Sequence, residues 1–207
     1  MILTPIAPEA LDPVLDAFEH ALDGAPLETA VFRRIRASRA AEAGSVERWH
    51  ADAVALARRF AMRPLAEAPQ QAFSWDGACV RTESEPAVLV HEVAHYQIAA
   101  PARRFLPDFG LGAGPETGLT DIADAARAAD ALTRETEEAM ASLLGILWEV
   151  DLGQPAIHAF QEQNWLEGAG RAGTADFFRA TLERLGRIGL IDDAGRPTYT
   201  VRICDAL

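Results

Sequence analysis

The sequence predicts an α+β fold: a helix-rich single domain over residues 1–207 in which a small sheet packs on one central helix. Three observations predict it. Apolar residues recur at spacings of three and four through most of the chain, which is helical periodicity. Only three short runs, Thr29–Ile35, Ala72–Thr82 and Gly195–Ile203, read as strands. The apolar run beginning at Val88 contains His91-Glu92-Val93-Ala94-His95, so one helix carries polar side chains into an otherwise apolar setting.

Each element has a local reason. Leu11, Leu15, Phe18 and Leu22 make an amphipathic helix from Pro8 to Leu22, and Gly24 ends it. Ser45 is placed to cap a second helix through Val46, Trp49, Ala53, Leu56 and Phe60, which Pro64 stops. Phe73, Trp75 and Val80 around Asp76-Gly77 read as a hairpin or an edge strand. Ser84 or Glu85 starts the motif helix, with Pro86 in its first turn and Pro101 as its interruption. Gly110 to Gly118 holds four glycines and a proline and reads as a loop; it lacks the lysine of a phosphate loop. Asp121 to Val150 reads as one long helix or two broken ones, and Pro155 to Leu166 as helix, broken at Gly168-Ala169-Gly170. Thr174 is placed to cap a last helix, through Gly186, whose stripe is Phe177, Phe178, Thr181, Leu182 and Leu185. The strand Gly195–Ile203 ends the chain.

Composition excludes several functions. Apolar residues make up 49% and charged residues 24%, ordinary for a globular protein. A formal net charge of -12 repels phosphate backbones and anionic lipid, so neither a nucleic-acid partner nor a membrane is expected. Met1-Ile2-Leu3-Thr4-Pro5 does not read as a secretory leader, and no apolar run reaches bilayer length. Two cysteines, Cys79 and Cys204, are too few for a disulfide scaffold and are expected as buried thiols. A cytoplasmic location is the expectation.

The pattern H-E-x-x-H points to a metal. Residues four apart on a helix lie one turn above each other on the same face, so His91 and His95 can offer ring nitrogens to one ion. Unpaired imidazoles in a core would cost several kcal/mol without an ion or hydrogen bonds to satisfy them, roughly as for other buried polar groups. Glu92 stands beside the first ligand; in zinc peptidases that place belongs to the base that deprotonates metal-bound water. The arrangement expected is zincin-like. A third histidine at the metzincin spacing is absent, since Ile98 and Pro101 stand where its glycine and histidine would fall. His20, His50 and His158 are scattered and read as surface or core residues.

A carboxylate supplies the better third ligand. Glu135, Glu137 and Glu138 open an apolar helical segment, and periodicity leaves the choice among them open. Glu138 shares a face with Ala141, Ser142 and Gly145, small residues that would let another helix approach closely.

The wider stretch "HEVAHYQIAAPARRFLPDFG", His91 to Gly110, resembles the signature of the elongation factor P hydroxylase family. The matching positions include the aromatic Tyr96, Ile98-Ala99, Ala102-Arg103-Arg104 and Asp108-Phe109-Gly110. The resemblance implies a non-haem iron held by His91, His95 and a downstream glutamate. Counting back from the turn Gly153-Gln154-Pro155 points to Glu138, with Glu137 and Glu135 as alternates. It also implies hydroxylation of a protein side chain, a modified lysine of a translation factor.

The expected function is therefore a metal-dependent enzyme, a non-haem Fe(II) oxygenase acting on a protein or peptide substrate. Glu92 is expected next to the metal, either supporting its ligands or as a proton donor, rather than as a hydrolytic base. Arg103 and Arg104 are expected either to pair with Asp108 or, with Asp108, to line the substrate site. Two alternatives share the same ligands. In a Zn(II) metallopeptidase of H-E-x-x-H…E type, Glu92 activates water and Ala72–Thr82 holds an extended substrate. In an inactive metal-binding interaction module, the glycine-rich loop after Gly110 is the docking element.

Overall fold

The computed structural model describes residues 6–43, 45–166 and 173–205. It is helix-rich, with a small parallel sheet of two strands. The chain divides into two compact units. One comprises Met1–Gly44 and Ile146–Thr198; the other comprises Ser45–Gly145 and Tyr199–Leu207.

The first unit is helical. It holds α1 (Pro8–Ala21), α2 (Pro26–Ala37), the end of α6 (Ala131–Asp151), α7 (Ile157–Glu162) and α8 (Thr174–Arg187). The strand expected at Thr29–Ile35 is a correction: these residues lie in α2. The β-branched Thr29 and Val31 suggested extension, but Val31, Phe32 and Ile35 fall on one helical face and are fully buried. Pro26 in the first turn starts the helix where no internal N–H bond is needed. The core is a cluster of Phe18, Phe32, Phe160 and Phe178, with centroids from 4.8 to 5.9 Å apart. Trp165 stacks on Phe160. Phe177, expected in the apolar stripe of α8, is 48% exposed and lies on Trp165 instead. Gly173, with φ 91°, precedes α8 in the cap position expected of Thr174. The break expected at Gly168-Ala169-Gly170 lies outside the described residues.

The second unit holds α3 (Val46–Arg59), β1 (Arg63–Leu65), β2 (Cys79–Arg81), α4 (Pro86–Ile98), α5 (Thr120–Ala125) and the first two thirds of α6. Ser45 caps α3 as expected: its side-chain oxygen accepts from the Arg48 N–H at 3.2 Å. Asp76 Oδ1 accepts from the N–H groups of Ala78 and Cys79 and closes the turn before β2. The main pairing of β2 is nevertheless parallel, to β1, with Val80 opposite Pro64. The hairpin survives as a single antiparallel bridge, Trp75 to Val80. Cys79 is buried and its sulfur receives the Arg63 Nε–H, whereas Cys204, expected to be buried, is exposed.

α4 is buried along most of its length: Leu89, Val90, Val93, Ala94 and Ile98 are all fully covered. It packs against α3 and β2. The glycine-rich segment after Gly110 is a loop, as expected, and α5 and α6 are the two helices of a broken pair. The C-terminal strand does not form. Ile191 and Pro197 make one isolated bridge, and Asp192 Oδ1 accepts from the N–H groups of Ala194 and Arg196 to close a turn. From Tyr199 to Asp205 the described residues form no ladder, and the Arg202 N–H donates to Gln97 O at 2.9 Å. The alternation in "TYTVRI" had no strand to pair with. No helix among the described residues is long and apolar enough to cross a membrane.

Glu149, near the end of α6, is buried, and that burial pushes its carboxyl up to about 8, with the nearby Glu162 adding in the same direction. The folded value lies above the 4.5 of an ordinary glutamate. Its contribution to stability is therefore complete below about pH 4.5 and is lost as pH rises through about 8. Glu149→Gln keeps the shape and removes the ionisation. In thermal or urea unfolding the variant should gain on wild type by several kcal/mol at pH 8.5 and nearly match it near pH 4.5. An equal difference at both pH values would refute the assignment.

Candidate metal centre

The site lies wholly in the second unit and is built by two helices. α4 presents His91 and His95 on one face, one turn apart, with ring centroids 4.5 Å apart and planes at 88°. α6 brings Glu138. The small-residue face expected of Glu138, Ala141, Ser142 and Gly145 has its structural meaning here. A Cβ added to Gly145 would sit 3.4 Å from the His91 Cα, so the two helix backbones nearly touch at His91.

Three donor atoms converge. His91 Nε2 and His95 Nε2 are 3.0 Å apart, and Glu138 Oε2 lies 3.8 Å from the first and 3.4 Å from the second. These atoms all lie within 4.8 Å of one another and can hold one metal ion. The spacing fits: two nitrogens bound at roughly 2.1 Å to one ion, at right angles, are about 3 Å apart. The donor chemistry fits as well, since two imidazoles and a carboxylate on one side suit Fe(II) or Zn(II) and leave the other side open.

Electrostatics couples the three groups. Burial opposes protonation of His91, and the neighbouring His95 adds to this, so its pKa is lowered. His95 feels the same burial, but the charge of Glu138 and a hydrogen bond to it prevail and raise its pKa. Glu138 is held well below the usual carboxylate range: burial works the other way but is outweighed by the charge of His95 and by hydrogen bonds from both histidines. His91 Nδ1 is buried without a hydrogen-bond partner.

Of the other two glutamates, Glu135 is exposed and takes no part. Glu137 is fully buried and has a different task. Its Oε1 receives the guanidinium of Arg103 and, at 2.9 Å, that of Arg202. Arg202 also donates to Ile98 O at the end of α4 and to Cys204 O in its own segment. Glu137 thus ties α6 to the end of α4, to the turn after it and to the C-terminal segment. Arg202 was not legible in the sequence. It lies 65 residues from Glu137 in a segment that reads as strand, and no local pattern marks it.

The flanking residues also differ from expectation. Neither Arg103 nor Arg104 pairs with Asp108. Arg103 donates to Phe109 O at 2.9 Å and to Glu137. Arg104 donates to the carbonyls of Tyr96 and Arg202. Asp108 accepts from the Thr117 hydroxyl at 2.6 Å and is a turn residue. Asp108, Phe109 and Gly110 have φ values of 43°, 56° and 67°, three left-handed residues in succession. That turn lays the Phe109 ring against His95, 5.6 Å between centroids and 22° between planes. Strain of this kind persists only where surrounding contacts enforce it.

Glu92 is half-buried beside the donor set. Burial pushes its carboxyl up to about 8; His95 opposes, while Asp108, Glu138 and Glu116 add to the rise. The remaining histidines are elsewhere: His50 meets Thr82 O at 2.6 Å, His20 pairs with Asp23 at 2.9 Å, and His158 is exposed on α7.

Two outcomes follow from this geometry. His95→Ala and Glu138→Ala should each weaken divalent metal binding by more than about a hundredfold in calorimetric titration, while Glu135→Ala leaves it unchanged. An effect of Glu135→Ala as large as that of Glu138→Ala would reject the ligand set. Arg202→Met should cost about 3 kcal/mol in urea unfolding, because it leaves a buried carboxylate short of one cation. A loss within the error of the measurement would show the cluster to be dispensable. Comparison with family models, curated proteins and solved structures finds no match for this chain, so its site is described by its own geometry alone.

Proposed function

We propose that the chain is a metal-dependent oxygenase that uses Fe(II) at His91, His95 and Glu138, in a zincin-like arrangement, to hydroxylate a side chain of a protein substrate. The observation that carries the reading is the convergence of His91 Nε2, His95 Nε2 and Glu138 Oε2 from two tightly crossing helices. A bound Fe(II) would supply dioxygen activation at the open positions. The chain's own residues do the rest. Phe109 closes the side of His95 against water. Glu92 stands next to the donor set as a carboxyl that can give or take a proton. The Arg103–Glu137–Arg202 cluster holds the helix of Glu138 in register with that of the histidines. The resemblance of His91 to Gly110 to elongation factor P hydroxylases supports the class of substrate, a modified lysine on a translation factor.

One observation weighs against the Zn(II) peptidase. That reading asks for an open strand edge in Ala72–Thr82 to bind an extended peptide. In β2 both edges are used: the Thr82 N–H donates to Leu65 O on one side and the Arg81 N–H to Ser74 O on the other. All three residues of β2 are buried.

Protein purified without oxygen should carry close to one iron per chain by elemental analysis, absent from His95→Ala. It should consume oxygen in the presence of substrate, and Glu92→Gln should keep the metal while turnover falls by about a hundredfold. Stoichiometric zinc that persists when iron is supplied, with peptide cleavage lost in Glu92→Gln, would replace this reading by the peptidase. No metal under any loading would leave the binding module.

A further inference from the structure

A row of aromatic rings runs from the candidate metal centre to the surface. Phe109 stacks on His95, and Trp75 stacks on Phe109 at 5.6 Å with planes 5° apart. Tyr96 meets Trp75 edge-on at 5.7 Å. Phe60 lies 6.5 Å from Tyr96, and Tyr199 lies 5.9 Å from Phe60. Trp75, Phe109 and Phe60 are buried, Tyr96 is half-buried, and Tyr199 is 51% exposed with the Arg59 guanidinium 3.9 Å above its ring.

Ring packing alone does not account for the composition of this row. The core of the other unit solves the same packing problem with Phe18, Phe32, Phe160 and Phe178, and with Trp165 against Phe160 and Phe178; both tyrosines belong to the second unit. The chain has only two tyrosines, and both stand in the row that starts at His95. Tyrosine and tryptophan are the aromatic side chains that lose an electron most readily. Tunnelling falls exponentially with the gap between rings, so neighbouring rings at these spacings pass an electron far faster than open protein does.

We infer that Trp75, Tyr96 and Tyr199 form an electron relay that drains an oxidising equivalent from the metal centre when no substrate is there to consume it. The inference rests on the iron reading above. Hydrogen peroxide is a two-electron oxidant: with two protons from solvent both of its oxygens leave as water, and a bound Fe(II) would supply one electron and the relay the other. Trp75 supplies that electron through Phe109 and His95; its indole N–H stays bonded to Arg104 O at 2.6 Å, so Trp75 keeps its proton. Tyr96 refills Trp75, and Tyr199 refills Tyr96 across the Phe60 ring, so that Tyr96 ends as the phenol it began. Tyr199 releases its phenolic proton to water and becomes a neutral tyrosyl radical at the surface. A soluble thiol then returns a hydrogen atom, restoring the phenol and leaving a thiyl radical that pairs with a second to give a disulfide. The ligands His91 and His95 are spared oxidation.

The test uses the full chain loaded anaerobically with Fe(II), mixed with hydrogen peroxide in the absence of substrate, freeze-quenched for electron paramagnetic resonance and digested for peptide mass spectrometry. Wild type should show a tyrosyl signal that added thiol removes. Tyr199→Phe, at an exposed position where folding is not at stake, should lose the thiol-sensitive signal and gain oxidation at Trp75 and at the histidines. Trp75→Phe, if its iron content equals wild type, should lose tyrosyl signal altogether. Iron-loaded wild type with no tyrosyl signal, or Tyr199→Phe with the wild-type signal, overturns the relay and leaves the oxygenase standing. Wild type that takes up no iron overturns both.

Discussion

The second unit depends on the burial of one carboxylate. Glu137 has no exposed surface, and a charge in that position is tolerated only because two guanidinium groups reach it. Each arginine arrives from a different part of the chain. Arg103 comes from the short turn after α4, and Arg202 from the C-terminal segment. Their remaining donors go to carbonyls of Phe109, Ile98, Cys204 and Asp205. The ion cluster therefore fixes the relation of three segments to α6, and α6 carries Glu138, the carboxylate of the candidate metal centre, one residue further on.

That adjacency divides the labour between Glu137 and Glu138. Consecutive residues on a helix point about 100° apart, as 3.6 residues per turn requires. One glutamate can face a structural ion cluster while its neighbour faces the histidines. The close crossing at Gly145 and His91 makes the second direction useful. With a larger side chain at 145 the helices would stand apart, and Glu138 could not come within reach of both imidazoles. The site is thus set by two constraints along α6, a buried charge at one level and a missing side chain two turns later.

The turn after α4 adds a third. Two successive left-handed residues other than glycine, Asp108 and Phe109, are costly, and here the contacts that hold them also define the site. Thr117 and Trp75 hold Asp108, Arg103 holds the Phe109 carbonyl, and the Phe109 ring covers His95. The Asp-Phe-Gly of the motif's flank thus acts through backbone shape and ring stacking, and Asp108 binds neither arginine beside it.

The sequence by itself determined the helical character of the chain, the cap at Ser45, the histidine pair and its one-turn spacing, and the small-residue face of Glu138. These are local: they follow from 3.6 residues per turn and from side chains within one or two turns of each other. It misread Thr29–Ile35 and Gly195–Ile203, where β-branched residues suggested strands. Short apolar runs have the same composition in either state, and only the neighbours that bury them decide. Tertiary structure alone chose among Glu135, Glu137 and Glu138. All three share composition and position in one helix, and their fates differ by what lies opposite: solvent, two arginines, or two histidines. It alone also placed Arg202 and Tyr199 in this unit, because contacts across 65 and more residues leave no trace in local periodicity.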